Sequence, residues 1–270
     1  MKLVFDIGGT HTRLAVSPDG QTLQSVTRFN TDPTTEGCTA FIDRVERLAA
    51  ESGAKSIVGG VPGQFDQAGH LRDAPNLPGW EGLPLVRLIE SHTGLSVATA
   101  NDVMLVGLGE ATRGAGRGRE IVAYITVSTG VNGARFVNGR LDANRHGFEL
   151  GYMLMPNEAG ELVSLESLTG GAALHERYGQ PPKLIKDPAV WRQEERYLAL
   201  ALYNTVLHWS PDVVIYGGGM MRDISLQGIQ RELDQLPHVV EAWPQLALAK
   251  LGDEGGLYGA LEYGQNLSGL

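Results

Sequence analysis

The first residues of the chain combine a carboxylate, two glycines and a hydroxyl in one turn. Asp6, Gly8, Gly9 and Thr10 stand between apolar residues on both sides, which is typical of strand, tight turn, strand. A glycine carries no Cβ, so backbone N–H groups at such a turn can approach an anion closely. Asp6 could hold Mg²⁺ directly or through its waters, and Thr10 could donate to a phosphate. A lone Gly-Gly turn often only connects strands, so this prediction depends on further motifs.

The same pattern of strand, Gly/Thr turn and strand recurs in the second half of the chain. Ser128, Thr129 and Gly130 again stand between two apolar runs. Each turn is followed later by an apolar strand that ends in glycines, at residues 57–60 and 213–219. Two halves with the same order of motifs indicate a duplicated domain, with a ligand held between the copies.

Asn101 and Asp102 follow the strand predicted at 96–100 and open a helix predicted at 103–112. Taken alone, the pair is typical of a helix cap. Beside two turns suited to phosphate, we favour a general base and a neighbour that orients a sugar. Phosphoryl transfer needs a carboxylate that accepts the proton of the attacking hydroxyl. An aspartate with its ordinary pKa of about 3.9 is ionised at neutral pH and could serve.

Two further carboxylates stand at turns of the second half. Glu149 lies in a Gly-rich turn, and Glu166 stands at the start of a predicted helix. Surface or capping roles are the plain alternatives for both. Carboxylates also suit sugars, because they accept two hydroxyl hydrogen bonds in a fixed geometry.

Composition limits the classes of function. The chain has 270 residues and a net charge of −9, which argues against a nucleic-acid-binding surface. Cys38 is its one cysteine, so neither an intrachain disulfide nor a cysteine-based zinc site can form. The sequence has no charged leader and no apolar run long enough to span a membrane, so we expect a cytoplasmic protein.

Apolar periodicity predicts strands that alternate with helices, which indicates an α/β protein. Helices are predicted at 38–50, 83–92, 103–112, 165–177, 188–208, 224–236 and 256–263. A further strand is predicted at 152–155. We place a first domain at residues 1–100, joined by a C-terminal helix at about 256–270, and a second domain at 101–255.

These motifs, in this order, resemble the ROK family of sugar kinases and related repressors. The resemblance rests on the turn at 6–10, the loop at 75–80, Asn101 and Asp102, the turn at 128–130, and the segments 147–151 and 215–219. It implies the actin/hexokinase-like fold, in which two ribonuclease H-like domains close over ATP and a hexose in an interdomain cleft. No DNA-binding segment precedes the fold, so we expect a kinase rather than a repressor.

The resemblance also implies a role for each matched residue. Asp102 would be the catalytic base and touch the sugar, while Asn101, Glu149 and Glu166 would bind sugar hydroxyls. The residues that would face the phosphates are Gly8, Gly9, Thr10, Thr129 and Gly130. Gly218 would lie near the adenosine, and Asn76 and Gly63 are further candidates for sugar contacts.

One departure from the family concerns metal and substrate. Many members have a histidine after the Glu-x-Gly step and then a cysteine-rich zinc loop, whereas this chain has Tyr152 and no cysteine there. We therefore expect no zinc. Tyr152 could replace one hydrogen bond to the sugar through its hydroxyl, or it could be a packing aromatic; both alternatives stay open.

The sequence thus predicts an ATP- and Mg²⁺-dependent kinase that converts glucose to glucose 6-phosphate. Kinases of N-acetylhexosamine, fructose or mannose, another phosphoryl donor, and a non-catalytic sugar-binding protein remain as alternatives. We expect small-molecule ligands and neither a nucleic-acid nor a membrane partner. A homodimer is left open.

Overall fold

The computed structural model describes residues 1–66 and 68–268. The strands are β1 Lys2–Ile7, β2 His11–Ser17, β3 Gln24–Asn30, β4 Ser56–Val61, β5 Gln64–Phe65, β6 Leu71–Arg72, β7 Ser96–Asn101, β8 Ile121–Val127, β9 Val131–Val137, β10 Arg140–Leu141, β11 Leu154–Pro156, β12 Leu162–Ser164, β13 Val213–Gly217 and β14 Gln245–Leu248. The α-helices are α1 Thr35–Ser52, α2 Leu85–Thr93, α3 Asp102–Thr112, α4 Leu165–Thr169, α5 Gly171–Tyr178, α6 Pro188–Trp209, α7 Leu226–Leu233 and α8 Gly255–Ser268.

The chain folds into two compact units. The first comprises Met1–Gly109 together with the C-terminal segment from Leu251, and the second comprises Glu110–Lys250. The first unit therefore contains α3 up to Gly109, as well as the whole described part of the C-terminal helix α8. Residues 269 and 270, the end of the predicted C-terminal helix, lie outside the described residues.

The first unit is built on a five-stranded sheet in the order β3-β2-β1-β4-β7. The first three strands form antiparallel hairpins, whereas β4 pairs parallel to β1 and β7 pairs parallel to β4. The Phe5 ring lies against Gly59 on β4, where an added Cβ would come within 2.2 Å of it. On its other side Phe5 meets the Phe41 ring of α1 edge-on at 5.3 Å, so the helix and the sheet share one apolar core.

The second unit repeats this topology. Its sheet runs β10-β9-β8-β13-β14, with two antiparallel pairings followed by two parallel ones. Its core lies under α4, α5, α6 and α7. Two copies of one mixed-sheet topology confirm the predicted α/β class and the internal duplication.

Local sequence signals account for most helix ends. Thr34 accepts a hydrogen bond from Gly37 N at 3.1 Å and caps α1, which ends at Gly53 in a left-handed conformation. Asp187 caps α6, which begins with Pro188 at a position that needs no N–H donor. Among the described residues, no helix has the length and apolar character needed to cross a membrane.

Two sequence predictions of secondary structure are wrong in part. The predicted helix 165–177 is divided into α4 and α5 at Gly170, which has the extended angles φ −66° and ψ 144°. The predicted strand 152–155 begins two residues late, because Leu150–Tyr152 forms a turn of 3-10 helix before β11 starts at Leu154. At Gly170 the apolar periodicity continues across one residue that leaves the helical conformation, and at Leu150–Tyr152 local backbone hydrogen bonds close a turn that the periodicity does not register.

Candidate active site

The first Gly/Thr turn joins β1 to β2 as the sequence predicts. Gly8 N donates to His11 O at 2.9 Å, and the Thr31 hydroxyl on the neighbouring segment donates to Gly8 O at 2.7 Å. Gly9 and Thr10 are exposed at the tip. An added Cβ on Gly9 would lie 3.0 Å from the Asn76 side chain, so the structure brings this predicted sugar contact against the predicted phosphate turn.

Asp6 lies beneath this turn and is 6% exposed. Two glycines leave the space that its carboxylate occupies. An added Cβ would lie 3.2 Å from Asp6 Oδ1 at Gly60 on β4, and 2.5 Å from Asp6 Cγ at Gly256 in the first turn of α8. A larger residue at either position would displace the carboxylate.

Two basic side chains and two carboxylates form a chain of ion pairs that begins at Asp6. Arg13 Nη1 lies 3.5 Å from Asp6 Oδ2, and Arg13 Nη2 lies 2.6 Å from Asp253 Oδ1. Arg28 holds the other oxygen of Asp253 at 2.5 Å. Burial raises the pKa of Asp6 to about 6, while the Arg13 cation lowers it and the Asp253 carboxylate raises it.

Asn101 caps α3, as the plain interpretation of the sequence predicts. Its Oδ1 accepts from Val103 N at 3.0 Å, and its Nδ2 donates to Gly63 O at 3.2 Å. Gly63 has φ +100°, and an added Cβ there would lie 2.5 Å from Arg72 O. Gly63 therefore has a structural reason to be glycine, and its contact with Asn101 fixes the entry to the helix.

Asp102 occupies the first turn of α3 and is half-buried. Burial, and then the nearby Asp6 carboxylate, raise the pKa of Asp102 to about 7, while the N–H groups of Val103 and of Asp102 itself lower it. An added Cβ on Gly60 would lie 3.2 Å from Asp6 Oδ1 and 3.3 Å from Asp102 Cα, so the two acids flank one glycine. The expectation that Asp102 has an ordinary aspartate pKa is therefore wrong. Burial explains the difference.

The second Gly/Thr turn joins β8 to β9. Ser128 N donates to Gly130 O at 2.8 Å, and the first N–H groups of α5 donate to Ser128 O and Thr129 O at 2.8 and 2.9 Å. Glu166 Oε2 accepts from Val131 N at 2.8 Å, and an added Cβ on Gly130 would lie 2.2 Å from that oxygen. Glu166 is thus held against the predicted phosphate turn.

Glu149 precedes the short 3-10 turn that follows β10, and Tyr152 is the last residue of that turn. Glu149 is exposed, and its Oε2 accepts from Asn132 Nδ2 at 3.3 Å. Asn132 Oδ1 in turn accepts from Leu150 N at 3.1 Å, which ties the turn to β9. Tyr152 is 72% exposed. That exposure does not fit the alternative of a packing aromatic within this unit.

Gly218 follows β13 and has φ +93°. An added Cβ would lie 2.2 Å from Val127 O, the last residue of β8 before the second turn. Only glycine fits this conformation and this approach. Gly218 therefore lies beside the second Gly/Thr turn in the same unit.

The structure thus gathers the predicted residues into two groups, one in each unit. The group of the first unit consists of Asp6, Gly8, Gly9, Thr10, Gly63, Asn76, Asn101 and Asp102. The group of the second unit consists of Thr129, Gly130, Glu149, Tyr152, Glu166 and Gly218. An open cavity of about 500 Å³ in the second unit is lined by Thr129, Ser164, Glu166, Ser167, Ala172, Ala173, Glu176 and Arg177. The predicted residues Thr129 and Glu166 both face it.

Sequence reasoning missed Arg13, Asp253 and Gly256. Arg13 is the cross-strand partner of Asp6. Counting residues outward from the turn in the sequence would therefore have identified it. Asp253 and Gly256 lie more than two hundred residues away from Asp6 in the chain and carry no local motif. Among the described residues, no group of three or more histidines, cysteines, aspartates or glutamates is arranged to hold a metal.

The fold is that of the hexokinase-like α/β enzymes. A solved structure of the ROK hexokinase from Thermus thermophilus matches 99% of this chain and 99% of its own, with a TM-score of 0.81 and 29% sequence identity. Residues 3–266 match the ROK family, and the chain belongs to that family.

Two relatives of similar identity differ in the sugar they are named for. The glucokinase of Thermotoga maritima is 31% identical over 268 residues, which cover 82% of this chain and 83% of that protein. The N-acetyl-D-glucosamine kinase of Escherichia coli is 30% identical over 297 residues, covering 95% and 96%. These relatives are sugar kinases, so family membership supports phosphorylation of a sugar and leaves the particular sugar open.

Proposed function

We propose that this protein is an ATP-dependent hexose kinase that phosphorylates the 6-hydroxyl of an aldohexose, with glucose as the first sugar to test. The alternatives are an N-acetylhexosamine, fructose or mannose as acceptor, and polyphosphate as donor. The relatives named above support a sugar as the acceptor. The two Gly/Thr turns support a phosphate-bearing donor, because each presents an exposed threonine beside glycine N–H groups.

The observation that carries the proposal is the adjacency of Asp102 and Asp6, the acid beneath the first turn. Asp6 and Asp102 flank Gly60, and burial raises the pKa of Asp102 to about 7. A general base is most effective when its pKa lies near the working pH. A protein that only bound sugar would gain nothing from such a base.

In the proposed reaction, Asp102 accepts the proton of the sugar hydroxyl. The hydroxyl oxygen forms a bond to the γ-phosphorus while the bond from that phosphorus to the β–γ bridging oxygen breaks. The products are the sugar phosphate, ADP and a protonated Asp102, which then releases its proton. Asn101 caps α3, whose first residue is Asp102.

Mg²⁺ is the metal this chemistry calls for, and Asp6 fits it as a ligand, directly or through water. Asp6 is an oxygen donor enclosed by Gly60 and Gly256, and its one side-chain partner in the described chain is Arg13 at the long distance of 3.5 Å. When bound, the ion would neutralise the charge of the transferring phosphoryl group. Gly8, Gly9, Thr10, Thr129 and Gly130 would donate to the phosphates, and Gly218 would lie near the adenosine.

Four side chains would hold the sugar: Asn76, Asn101, Glu149 and Glu166. Glu166 already uses Oε2 for Val131 N, so Oε1 is the oxygen left for a hydroxyl in the described part of the chain. Tyr152, with its exposed hydroxyl, would make the contact that the family histidine makes elsewhere. These carboxylates and hydroxyls match the donors and acceptors of a hexose.

A coupled ADP-release assay tests the proposal. The purified protein is given ATP, and in parallel polyphosphate with detection of sugar phosphate, over a panel of glucose, mannose, fructose and N-acetylhexosamines. We expect sugar-dependent turnover with ATP for at least one aldohexose. Sugar binding by calorimetry without turnover with either donor would instead favour the non-catalytic alternative.

A further inference from the structure

Two carbonyl groups of the first Gly/Thr turn are held by one residue outside it. Thr31, which directly follows β3, donates its hydroxyl hydrogen to Gly8 O at 2.7 Å. Its backbone N–H donates to Thr10 O at 2.9 Å. These carbonyls belong to the peptide groups that join Gly8 to Gly9 and Thr10 to His11. Thr31 therefore fixes two peptide groups of the turn at once.

The Thr31 hydroxyl is itself held in one orientation. Thr12 Oγ1, on β2, lies 2.9 Å from Thr31 Oγ1. A hydroxyl has one hydrogen, and that of Thr31 is directed to Gly8 O, so Thr12 is the donor in this pair. Thr12 is 1% exposed and is held by the strands on both sides of it. A buried donor thus orients the hydroxyl that holds Gly8.

The Thr31 hydroxyl takes the place of a bond that an ordinary hairpin makes. In a hydrogen-bonded pair of an antiparallel ladder, the two residues exchange both N–H···O bonds. Gly8 N donates to His11 O at 2.9 Å. The return bond, from His11 N to Gly8 O, is not formed among the described residues, and Gly8 O accepts from Thr31 instead. The turn is thus held with one of its two closing bonds unmade.

The direction of these carbonyls decides the direction of two N–H groups. No peptide bond in the described chain is cis, and in a trans peptide the C=O and the N–H point in opposite directions. The N–H groups of Gly9 and His11 therefore point away from Thr31. Gly9 is exposed, and its N–H makes no hydrogen bond in the part of the chain that the structure describes. This N–H is a donor available to an anion.

The backbone around Thr31 is held by contacts that do not involve its side chain. The segment that follows it packs against the predicted sugar-contact loop. Trp80 Nε1 donates to Asp32 O at 3.0 Å, and Gly79 N donates to Pro33 O at 2.8 Å. An added Cβ on Gly79 would lie 2.7 Å from Pro33 O, so the two segments are in close contact. A change of the Thr31 side chain leaves all of these bonds in place.

We propose that Thr31 is a positioning residue for phosphoryl transfer. Its hydroxyl holds the peptide group between Gly8 and Gly9 so that the Gly9 N–H donates to a phosphate of ATP. Thr31 acts through the turn and not by contact with a ligand. This inference rests on the proposed kinase function and adds to it a residue that lies outside both Gly/Thr turns.

The test removes the hydroxyl and keeps the shape of the side chain. Thr31→Val should lower kcat/KM for ATP about 5- to 100-fold, because the Gly8 carbonyl loses its donor and the Gly9 N–H is no longer held toward the phosphate. The KM for the sugar should stay within about twofold of the wild-type value, since the sugar-contact loop is held by backbone atoms. Thr31→Ser keeps the hydroxyl and should restore kcat/KM for ATP.

Thr27→Val is the matched control. Thr27 lies on β3, four residues before Thr31, and its hydroxyl donates to Leu14 O of β2 at 3.5 Å. The control removes the same group from the same pair of strands, away from the turn, and should leave kcat/KM for ATP unchanged. Thermal melting shows that each variant is folded. Thr31→Ala repeats the comparison without an added methyl group if Thr31→Val does not fold.

Three results would overturn the role of Thr31. The first is a normal kcat/KM for ATP in a folded variant without the hydroxyl. The second is an equal loss in Thr27→Val, which would make the effect one of general sheet stability. The third is a Thr31→Ser variant as impaired as Thr31→Val, because the hydroxyl would then not be the cause.

The inference and the proposed function fail in different ways. A wild type that phosphorylates a sugar with ATP, beside a Thr31→Val variant with normal kcat/KM for ATP, overturns the inference and leaves the kinase function standing. A wild type that phosphorylates no sugar with ATP overturns the proposed kinase function. Calorimetry of Mg-ATP with the wild type and Thr31→Val then decides the role of Thr31. A weaker affinity in the variant supports that role, whereas equal affinity, or no binding by either protein, contradicts it.

Discussion

Asp6 and Arg13 are cross-strand partners in β1 and β2, and Arg13 Nη1 lies 3.5 Å from Asp6 Oδ2. Residues paired directly across two antiparallel strands lie on the same face of the sheet. The acid beneath the first Gly/Thr turn thus has a resident cation, which Asp253 holds in place from its other side at 2.6 Å.

Arg13→Gln should move the acidic limb of the pH–activity profile to higher pH. The Arg13 cation lowers the pKa of Asp6, so its removal leaves more Asp6 protonated at a given pH. Arg28→Gln is the control, because Arg28 also binds Asp253 but is not paired with Asp6. Profiles of kcat/KM against pH for the three proteins check this, and equal shifts in both variants would contradict it.

Asp102→Asn should abolish turnover while sugar binding stays largely intact. Loss of a general base typically costs ~10²–10⁴-fold in rate, whereas the amide keeps the shape and one acceptor oxygen. Turnover assays and calorimetry with sugar measure the two effects separately. A near-normal kcat would remove Asp102 from the mechanism, and a loss confined to sugar affinity would make it a binding residue.

The raised pKa of Asp102 predicts a pH dependence with a definite sign. The base must be ionised, so kcat/KM should fall about tenfold per pH unit below a pH of about 7, fall more steeply below about 6 where Asp6 is protonated as well, and level off above 7. The stability of the fold should instead fall as pH rises. The folded-state pKa lies above the unfolded value of 3.8, so ionisation of Asp102 destabilises the fold as pH rises between these values. Asp102→Asn should therefore raise Tm relative to the wild type at pH 8 and not at pH 3. An equal difference at both values would contradict the shift.

Glu149→Ala should raise KM for the sugar strongly with little change in kcat. Losing a hydrogen bond to a charged acceptor costs roughly 1.5–3 kcal/mol, or about 10- to 100-fold in affinity. Glu158→Ala, an exposed acid beyond β11, is the control for loss of surface charge. Steady-state kinetics with varied sugar at saturating ATP decide the matter, and a normal KM would remove Glu149 from the sugar site.

Activity should require Mg²⁺ and should survive a zinc-selective chelator. Phosphoryl transfer needs a cation to neutralise the transferring group, and the sequence has one cysteine and hence no thiolate cluster. Kinetics after dialysis, with Mg²⁺ added back, measure the dependence on Mg²⁺. Elemental analysis of the purified protein measures its zinc content, and stoichiometric zinc would contradict the prediction.

Much of the fold was readable from the sequence because its signals are local. The turn at Gly8–Gly9, the alternation of strands and helices and the cap at Asn101 each depend on neighbours within a few residues, and the structure contains all three. The break at Gly170 was not readable, because an apolar periodicity can continue across a single residue that leaves the helical conformation.

The sequence by itself determined the family, the class of chemistry and the acids suited to it, because residue types and their order carry that information. Only the tertiary structure decided the pKa values of those acids and which charged residues lie beside them. The pKa of Asp102 depends on burial and on Asp6, nearly one hundred residues away, and Arg13 is linked to Asp253 across most of the chain. Charge and desolvation act through space rather than along the chain, so a motif shows where a carboxylate stands and only its surroundings show what state it is in.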